Sequence, residues 1–581
     1  MCGLNGILRL SADAPPVDRG ELLRTRDAMA HRGPDGAGDW ISPDGLVGLG
    51  HRRLAILDPS DAGAQPMASA DGRFHIVLNG EIYNFRELRR ELLAEGYPFR
   101  SESDTEVLLA LYARDGAMML PRLRGMYALA IWDGAARSLL LARDPLGIKP
   151  LYYAEAGGVL RFASQVKALE ASGAVSREVD LGGLAGFLLW GSVPEPLTIR
   201  SAVKALPAGS FLLIEDGRLG EPRGFEAEAP EAMDPAAAVE DSVRAHLVSD
   251  VPVAVFLSAG LDSGLIAALA RRNLPEPPVT FTLRFDLLEG TPLDEGPLAA
   301  EVARALGTRH VERRVSRADF ADLWPAALAA MDQPSIDGFN TFVVSRAARE
   351  AGLKVVLSGL GGDELFGSYP SFADVPRFKQ LARWAALVPA WAPAARALVA
   401  ERPKLAGLAR HGRTLPGAYF LRRGLFLPEE LPGLLGRERA AEGLRRYDPV
   451  TDATGVLNGH GADPWVAVHE METALYLRNQ LLRDADWASM AHGVELRVPL
   501  VDARLRQRLA AHRFEPARGM GKAELVRRAA PELPVELYSR PKTGFYIPVM
   551  EWLRPEAQGR RGEQSRRLAA RVLEELGVAV R

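Results

Sequence analysis

The chain has 581 residues, of which 47% are hydrophobic and 25% charged, and its formal net charge is -3. That length exceeds what one hydrophobic core usually serves, so we expect at least two domains. The near-neutral charge argues against a nucleic-acid binder that depends on a general positive field. No apolar run approaches the roughly 18–20 residues of a membrane span, and no basic segment precedes the short apolar start. We therefore expect a cytoplasmic protein without a membrane or nucleic-acid partner.

The first third of the chain alternates short strands with turns and two helices. The runs Met126–Trp132 and Ser138–Ala142 flank an Asp-Gly pair, which predicts a β-hairpin. Asn84 followed by Glu87 resembles a capping box, which predicts the start of a helix there. Apolar residues at helical spacing predict a second helix over 105–114.

A segment rich in Glu, Ala and Pro, from about residue 221 to 235, has no periodicity and is interpreted as a linker. Beyond it, strands predicted over 251–257, 279–285 and 353–357 alternate with helices predicted over 261–271, 295–306 and 341–351. This alternation predicts a doubly wound parallel sheet with helices on both faces. From about residue 375 the chain is predicted to be mostly helical. We place the two domains at residues 2–215 and 236–581.

The single cysteine, Cys2, becomes the amino-terminal residue once the initiator methionine is removed. Its thiol then lies beside a free α-amino group with a reference pKa near ~8, which suits that amine to act as the general base. A cysteine after the initiator methionine is more often a chance feature than a nucleophile. The motifs that follow it therefore decide between the two interpretations.

Six short motifs occur in order over the first 110 residues: CGLNGI at 2–7, HRGPDG at 31–36, HRRLAI at 51–56, QPM at 65–67, NGEIYN at 79–84 and SDTE at 103–106. Together they resemble the class II glutamine amidotransferases, the amino-terminal-nucleophile glutaminases. The resemblance extends over about 200 residues and implies a glutaminase of αββα layers. It also implies that Cys2 attacks the side-chain amide of glutamine.

The same resemblance implies roles for five further residues. The Asn79 side chain and the Gly80 backbone N–H donate to the oxyanion formed in the attack. Arg53 binds the substrate α-carboxylate through its planar guanidinium. Asp104, with Glu81 nearby, binds the α-ammonium group. In isolation, Asn79 and Gly80 would be interpreted as a hairpin turn and Asp104 as the N-cap of a helix.

In the second half, the run VAVFLSAGLDSG at 253–264 predicts a strand, a loop of small residues and the start of a helix. Such a loop surrounds an anion with backbone N–H groups at the helix start. It lacks the lysine of a Walker loop. It resembles the S-G-G-x-D-S loop of enzymes that cleave ATP between the α- and β-phosphates, with Ala259 in place of a glycine. The run SGLGGDELFG at 358–367 resembles the second nucleotide loop of asparagine synthetases.

These resemblances imply ATP contacts at Leu257, Ser258, Gly260, Asp262, Ser263, Leu283, Ser358, Gly359 and Asp363. Because Mg²⁺ prefers carboxylates together with phosphates, Asp262 and Asp363 are the candidates to hold it. Adenylation also requires a lysine at the developing phosphate charge. Lys542 is our first candidate for this catalytic role. Lys522, at a second family motif, is the second candidate, and we expect it to bind ATP.

Taken together, nearly the whole chain resembles the glutamine-hydrolysing asparagine synthetases. The resemblance implies that glutamine yields ammonia at Cys2, and that the ammonia reaches the second site through an internal tunnel. There ATP activates the β-carboxylate of aspartate as an acyl-adenylate, and asparagine, AMP and pyrophosphate are the products. A homodimer is common in the family.

Two departures leave the acceptor open. Leu360 stands where the well-known asparagine synthetases carry an acidic residue thought to act as a base in the ammonia step, and Glu364 and Asp337 are the candidates to replace it. The segment 332–341 also differs from that of the aspartate-specific enzymes. The alternative to aspartate is therefore another carboxylate, from polysaccharide or secondary-metabolite biosynthesis. A phosphoribosyl-type amidotransferase would lack the 258–264 loop, and a β-lactam-synthetase-like cyclase would normally lack Cys2. A non-catalytic relative would have lost Cys2, Arg53 or Asp262, and all three are present.

Overall fold

The computed structural model describes residues 2–385, 404, 407–457, 463–510, 512, 514, 520–540, 549–553, 561–575 and 577–578. Among these residues, no helix combines the length and the apolar composition that crossing a membrane requires.

The first domain is built on two antiparallel sheets. Their strands are β1 (Gly3–Arg9), β2 (Gly36–Ile41), β3 (Val47–Arg53), β4 (Met67–Ala68), β5 (Phe74–Ile82), β6 (Gly125–Asp133), β7 (Ser138–Arg143), β8 (Tyr152–Ala156), β9 (Val159–Ala163), β10 (Lys204–Ala205), β11 (Ser210–Glu215), β12 (Arg218–Leu219) and β13 (Arg223–Gly224). The first sheet has the order β10-β8-β9-β1-β3-β2 and the second β12-β11-β7-β6-β5-β4, with β13 paired to β11. The second sheet therefore continues to Gly224, past residue 215, where the sequence places the end of the domain.

Five helices accompany these sheets: α1 (Arg19–Asp27), α2 (Phe85–Ala94), α3 (Asp104–Asp115), α4 (Val166–Ala171) and α5 (Leu181–Trp190). Apolar side chains from the facing sides of both sheets, such as Leu49 and Leu141, share one buried cluster between them. The outer face of the second sheet packs on α2 and α3, whereas α1 and α4 contact the first sheet. This is the αββα arrangement predicted from the resemblance, and the predicted hairpin is confirmed as β6 and β7.

The capping box predicted at Asn84 is wrong. Asn84 does precede α2, but its side chain makes no cap hydrogen bond. Its Nδ2 donates to the Arg122 carbonyl at 3.0 Å, and its Oδ1 accepts from the Arg124 backbone N–H at 2.9 Å. Two backbone partners that are distant in sequence therefore bind both ends of the amide, which leaves no acceptor for the helix.

The second domain contains one parallel sheet. Its strands are β14 (Val253–Phe256), β15 (Val279–Phe285), β16 (Arg309–Val315), β17 (Val355–Leu357) and β18 (Glu495–Arg497), in the order β16-β15-β14-β17-β18. Helices α6 (Pro235–His246), α7 (Leu261–Asn273), α8 (Gly296–Leu306), α9 (Arg317–Ala330), α10 (Phe339–Glu350), α11 (Gly362–Leu365) and α12 (Ser371–Ala385) lie before or between them in the chain. Along β14, Val253 and Val255 join one buried cluster and Ala254 joins another. Both faces of the sheet are therefore covered, as a doubly wound sheet requires.

The strand order places β14 at the centre, with later strands added first on one side and then on the other. In such sheets, ligands bind outside the carboxyl ends of the strands where the order reverses. Here that point lies between β14 and β17. The remaining described helices are 408–411, 415–423, 431–435, 437–446, 449–456, 464–471, 483–490, 503–509, 522–529, 536–539, 549–553 and 561–575, with a π-helical segment over 472–482.

Candidate active sites

Cys2 directly precedes β1, the strand paired with both β3 and β9, and it is buried. Its backbone N–H donates to Asn79 Oδ1 at 3.0 Å. After removal of the initiator methionine this nitrogen is the α-amino group, so the candidate base is held beside the candidate nucleophile. Burial raises the pKa of the Cys2 thiol, because desolvation penalises the thiolate. The thiol therefore needs a base in order to attack.

Asn79 and Gly80 lie in the middle of β5, not in a turn. Asn79 Nδ2 donates to Ser164 Oγ at 3.4 Å, and Asn79 Oδ1 accepts from the Cys2 N–H, so the amide lies beside the cysteine. Gly80 has φ of +151°, and a Cβ there would lie 2.0 Å from the Met126 carbonyl oxygen. Only glycine fits such a close approach of two strands. The local sequence Asn-Gly therefore serves strand packing at this position and not a hairpin.

Arg53, at the end of β3, is held by the loop that follows it. Its Nη1 donates to the Ser60 carbonyl at 2.8 Å, and its Nη2 donates to the carbonyls of Leu57 and Asp58. Backbone carbonyls orient the guanidinium without neutralising its charge. The cation therefore remains available to a carboxylate ligand.

Asp104 and Glu81 form a buried acidic pair near this site. Asp104, the first residue of α3, accepts a hydrogen bond from the Ile82 backbone N–H at 2.9 Å. Burial raises the pKa of Asp104 to about 6. Burial also raises the pKa of Glu81 well above its ordinary value, with a contribution from Glu495 of the second domain. A buried acidic pair of this kind attracts an ammonium ion, because the cation offsets the cost of ionising it.

An ion pair between the domains contacts the backbone of Cys2, and neither of its residues was assigned a role from the sequence. Arg32 Nε donates to the Cys2 carbonyl at 3.0 Å, while its Nη1 and Nη2 reach the Asp486 carboxylate at 2.7 and 3.0 Å. Lys149 lies 3.8 Å from the same carboxylate. Arg32 is fully buried and Asp486 is 4% exposed. Arg32 lies in the HRGPDG motif quoted above, but its pairing with Asp486 spans 454 positions of sequence.

The second candidate site is a cavity of about 1060 Å³ at the switch point of the parallel sheet. All ten residues that the sequence analysis assigned to ATP line it: Leu257, Ser258, Gly260, Asp262, Ser263, Leu283, Ser358, Gly359, Asp363 and Lys522. They come from β15, from the loops and helix starts that follow β14 and β17, and from the helix that begins at Lys522. The fold therefore brings Lys522 to Asp262, which lies 260 positions earlier in the chain.

The two loops of this cavity touch through glycines. A Cβ at Gly359 would lie 2.8 Å from the Ser263 backbone nitrogen, and one at Gly362 would lie 2.2 Å from Asp262 Oδ1. Within the first loop, Ser263 Oγ donates to the Ser258 and Gly260 carbonyls at 3.1 Å each. The first loop is thus closed by its own serine, and the second packs directly on it.

Lys522 connects the two candidate metal ligands. Its Nζ lies 2.6 Å from Asp262 Oδ2 and 2.9 Å from Asp363 Oδ1. Although burial lowers the pKa of Lys522, the two carboxylates raise it further and keep the lysine charged. The carboxylates thus converge on one point of the cavity, and two carboxylates are a donor set that fits Mg²⁺ bound together with phosphates. Lys542, our first candidate lysine, lies outside the described residues.

Leu360 and the two acids that are candidates to replace an acidic residue there line two different cavities. Leu360 and Glu364 line the large cavity, together with Asn340 of α10. Asp337 instead lines a second cavity of about 320 Å³. Of the two candidates to replace an acid at position 360, only Glu364 shares the large cavity with Leu360.

The polar segment 332–341 is fixed to the first domain. Asp332 accepts hydrogen bonds from the backbone N–H groups of Val166 and Lys167 at 3.0 Å each, and so caps α4. Gln333 accepts from the Ile199 N–H at 3.1 Å. The segment that enters the large cavity is therefore oriented by the glutaminase-like domain.

Comparisons with known proteins agree with this two-domain geometry. Residues 1–223 match the family described as "Glutamine amidotransferase domain", and residues 236–574 match "Asparagine synthase". A putative glutamine-hydrolysing asparagine synthetase of Mycobacterium tuberculosis is 34% identical over 95% of this chain and 88% of its own length. Asparagine synthetase 1 of Bacillus subtilis is 32% identical over 96% and 88%. Amidase chry2 of Gibberella zeae is 31% identical over 64% and 60%.

The two matches define a glutamine amidotransferase joined to a synthetase in a single chain. The chain belongs to the glutamine-hydrolysing asparagine synthetase family, and it is a carbon–nitrogen ligase of that type. ATP use is a property of this family. The family and the enzyme class inferred from the sequence motifs are thereby confirmed.

Proposed function

We propose that the protein hydrolyses glutamine at Cys2 and transfers the ammonia to a carboxylate that it first adenylates, with aspartate as the leading acceptor. The observation that carries this proposal is the large cavity at the sheet switch point, because all ten predicted nucleotide residues line it. The same chain holds Cys2 against Asn79 in its other domain. Two complementary half-sites in one molecule are what an amidotransferase needs.

In the first half-reaction, the α-amino group of Cys2 takes the thiol proton and the sulfur attacks the glutamine side-chain carbonyl. Asn79 Nδ2 and the Gly80 N–H, the donors implied by the family resemblance, stabilise the oxyanion. Arg53 binds the substrate carboxylate, and Asp104 with Glu81 binds its ammonium group. Collapse of the intermediate releases ammonia and leaves a γ-glutamyl thioester, which water then hydrolyses.

In the second half-reaction, an acceptor carboxylate attacks the α-phosphate of ATP, and pyrophosphate leaves from the loop that begins at Ser258. Lys522 lies where it can stabilise the phosphate charge, and Lys542 remains the stronger sequence-based candidate for that role. Mg²⁺, held by Asp262 and Asp363, would neutralise charge on the phosphates when bound. Ammonia then displaces AMP and gives the carboxamide. The cytoplasmic location and the homodimer remain predictions from the sequence.

A carboxylate other than aspartate is the second candidate acceptor. Leu360 adds an apolar side chain to the wall of the cavity, and one relative of similar identity is named an amidase and not an asparagine synthetase. Such an acceptor would come from polysaccharide or secondary-metabolite biosynthesis. The two candidates share every chemical step and differ only in the molecule that carries the carboxylate.

The deciding experiment is carboxylate-dependent exchange of labelled pyrophosphate into ATP, with aspartate, glutamate and hexuronic acids tested separately. Exchange requires only the adenylation step, so it identifies the acceptor without any contribution from the glutaminase. We expect exchange with aspartate, and we expect Asp262→Asn to abolish it. Exchange with another acid alone would assign the second candidate. Glutaminase activity without exchange by any acid would reject the adenylation half of the proposal.

A further inference from the structure

Two residues of the second domain, Lys354 and Asp250, hold the chain around Arg53, and no step above uses either of them. The contact of Lys354 runs through Asp35 in the HRGPDG motif. The Asp35 backbone N–H donates to the Arg53 carbonyl at 3.0 Å, and Asp35 Oδ2 accepts from the Ala55 N–H at 2.9 Å. Lys354 Nζ donates to the same Oδ2 at 2.8 Å. Asp35 therefore fixes the chain directly after Arg53, and Lys354 fixes Asp35.

The contact of Asp250 lies in the loop whose carbonyls orient the Arg53 guanidinium. Asp58 supplies one of those carbonyls, and its φ of +44° is in the left-handed region that non-glycine residues seldom adopt. Such a conformation persists only where the surrounding structure holds it. The Asp58 N–H donates to Asp250 Oδ2 at 2.9 Å, and Asp58 Oδ2 accepts from the Glu102 N–H at 3.0 Å. The second domain therefore also holds the loop that places the guanidinium.

Asp250 and Lys354 occupy similar places in the parallel sheet. Asp250 lies shortly before β14, and Lys354 directly precedes β17, the parallel neighbour of β14. The carboxyl ends of the same two strands lead into the loops at Ser258 and Ser358, which line the large cavity. One end of this strand pair therefore contacts the segment that holds Arg53, and the other end lies at the large cavity.

These contacts bear on substrate binding because Arg53 is the residue proposed to bind the α-carboxylate of glutamine. A bidentate contact between a guanidinium and a carboxylate depends on the orientation of the planar cation. We infer that Lys354 and Asp250 are positioning residues that hold Arg53 in the orientation that binds glutamine; the inference rests on the proposed function. The synthetase domain thereby completes the substrate site of the glutaminase domain.

The expected effect is on KM and not on kcat. The α-carboxylate does not react, so its contact with Arg53 is equally strong in the bound substrate and in the transition state. Loss of such uniform binding raises KM and leaves kcat nearly unchanged. We expect Lys354→Met to raise the KM for glutamine about 10-fold, which is less than the ~10²-fold that a displacement of about 1 Å can cost. Lys354→Arg keeps the charge and the donors, so it should restore most of the loss.

The test measures ammonia release from two amides by the full-length variants. Glutamine carries the α-carboxylate, whereas 4-aminobutanamide has the same amide and amine but lacks the carboxylate. Lys354→Met and Asp250→Ala should lower kcat/KM for glutamine and leave that for 4-aminobutanamide unchanged. Lys167→Met is the matched control, because Lys167 of α4 also joins the two domains, through a hydrogen bond from its Nζ to the Ala329 carbonyl at 2.7 Å. Its KM for glutamine should not change.

A double-mutant comparison separates this inference from the proposed function. Arg53→Gln should raise the KM for glutamine by itself, and Lys354→Met should then add little, because both changes remove the same contact. Equal losses with both amides, or fully additive effects of the two substitutions, would overturn the inference. An unchanged KM in Lys354→Met beside a raised KM in Arg53→Gln would overturn the inference alone. An unchanged KM in Arg53→Gln would reject the proposed carboxylate-binding role of Arg53, and the inference with it.

Discussion

The ion pair between Arg32 and Asp486 joins Cys2, the proposed nucleophile of one domain, to a helix of the other, and Asp486→Asn tests it. The change removes the carboxylate charge but keeps the shape of the side chain. It leaves the buried Arg32 and Lys149 cations facing a neutral amide. Breaking a buried pair by removing one partner costs about 3–5 kcal/mol. Because asparagine retains one acceptor oxygen, we expect the free energy of unfolding to fall by an amount near the lower end of this range, about 3 kcal/mol.

The same substitution should separate the two activities. Arg32 also donates to the Cys2 carbonyl, so a displaced Arg32 disturbs the nucleophile directly. We expect kcat/KM for glutamine hydrolysis to fall at least ~10-fold, since about 1.4 kcal/mol of lost transition-state stabilisation suffices. Ammonium-dependent amide formation should fall much less.

Urea unfolding followed by tryptophan fluorescence measures the stability, and glutamate release measures the glutaminase. Asp44→Asn is the matched control, because Asp44 pairs with Arg137 on the surface, where both side chains are about half exposed. An exposed pair of this kind contributes well under about 1 kcal/mol. If Asp486→Asn behaves like Asp44→Asn in both measurements, the interdomain ion pair does not support the nucleophile and this reasoning is refuted.

Two further predictions concern the two half-sites. Asp104 has a pKa raised by burial to about 6, and only its ionised form attracts an ammonium group. The KM for glutamine should therefore rise as the pH falls through 6, and Asp104→Asn should raise KM and flatten this dependence. A Cβ at Gly359 would lie 2.8 Å from the Ser263 nitrogen, so Gly359→Ala should weaken ATP binding by about 1–3 kcal/mol and spare glutamine hydrolysis. Unchanged KM values for ATP would contradict the close contact of the loops.

Local patterns in the sequence predicted the elements that position both sites. The hairpin around Asp133 is recognisable from its turn residues, and the parallel strands are recognisable from continuous apolar runs. Each of these signals is contained within a few residues of sequence. The parallel sheet then places the loops after β14 and β17 side by side, because both follow carboxyl ends of neighbouring strands. Family resemblance supplied the candidate site residues, and the ten assigned to ATP all line the large cavity.

Contacts over long sequence distances could not be predicted in this way. The Asn84 side chain had a local interpretation as a cap, but backbone groups about 40 positions away bind it instead. Asp332 caps a helix in the other domain, 166 positions earlier. Such polar contacts depend on how the domains dock, and the periodicity of one element carries no information about that.

The most direct test of the account is a single incubation with glutamine, aspartate, ATP and Mg²⁺, in which asparagine and pyrophosphate are both measured. We expect equal amounts of the two products. Cys2→Ala should lose both with glutamine as donor and regain both with ammonium. Glutamate release without pyrophosphate would contradict aspartate as the acceptor, and glutamine-dependent asparagine formation by Cys2→Ala would contradict the glutaminase assignment itself.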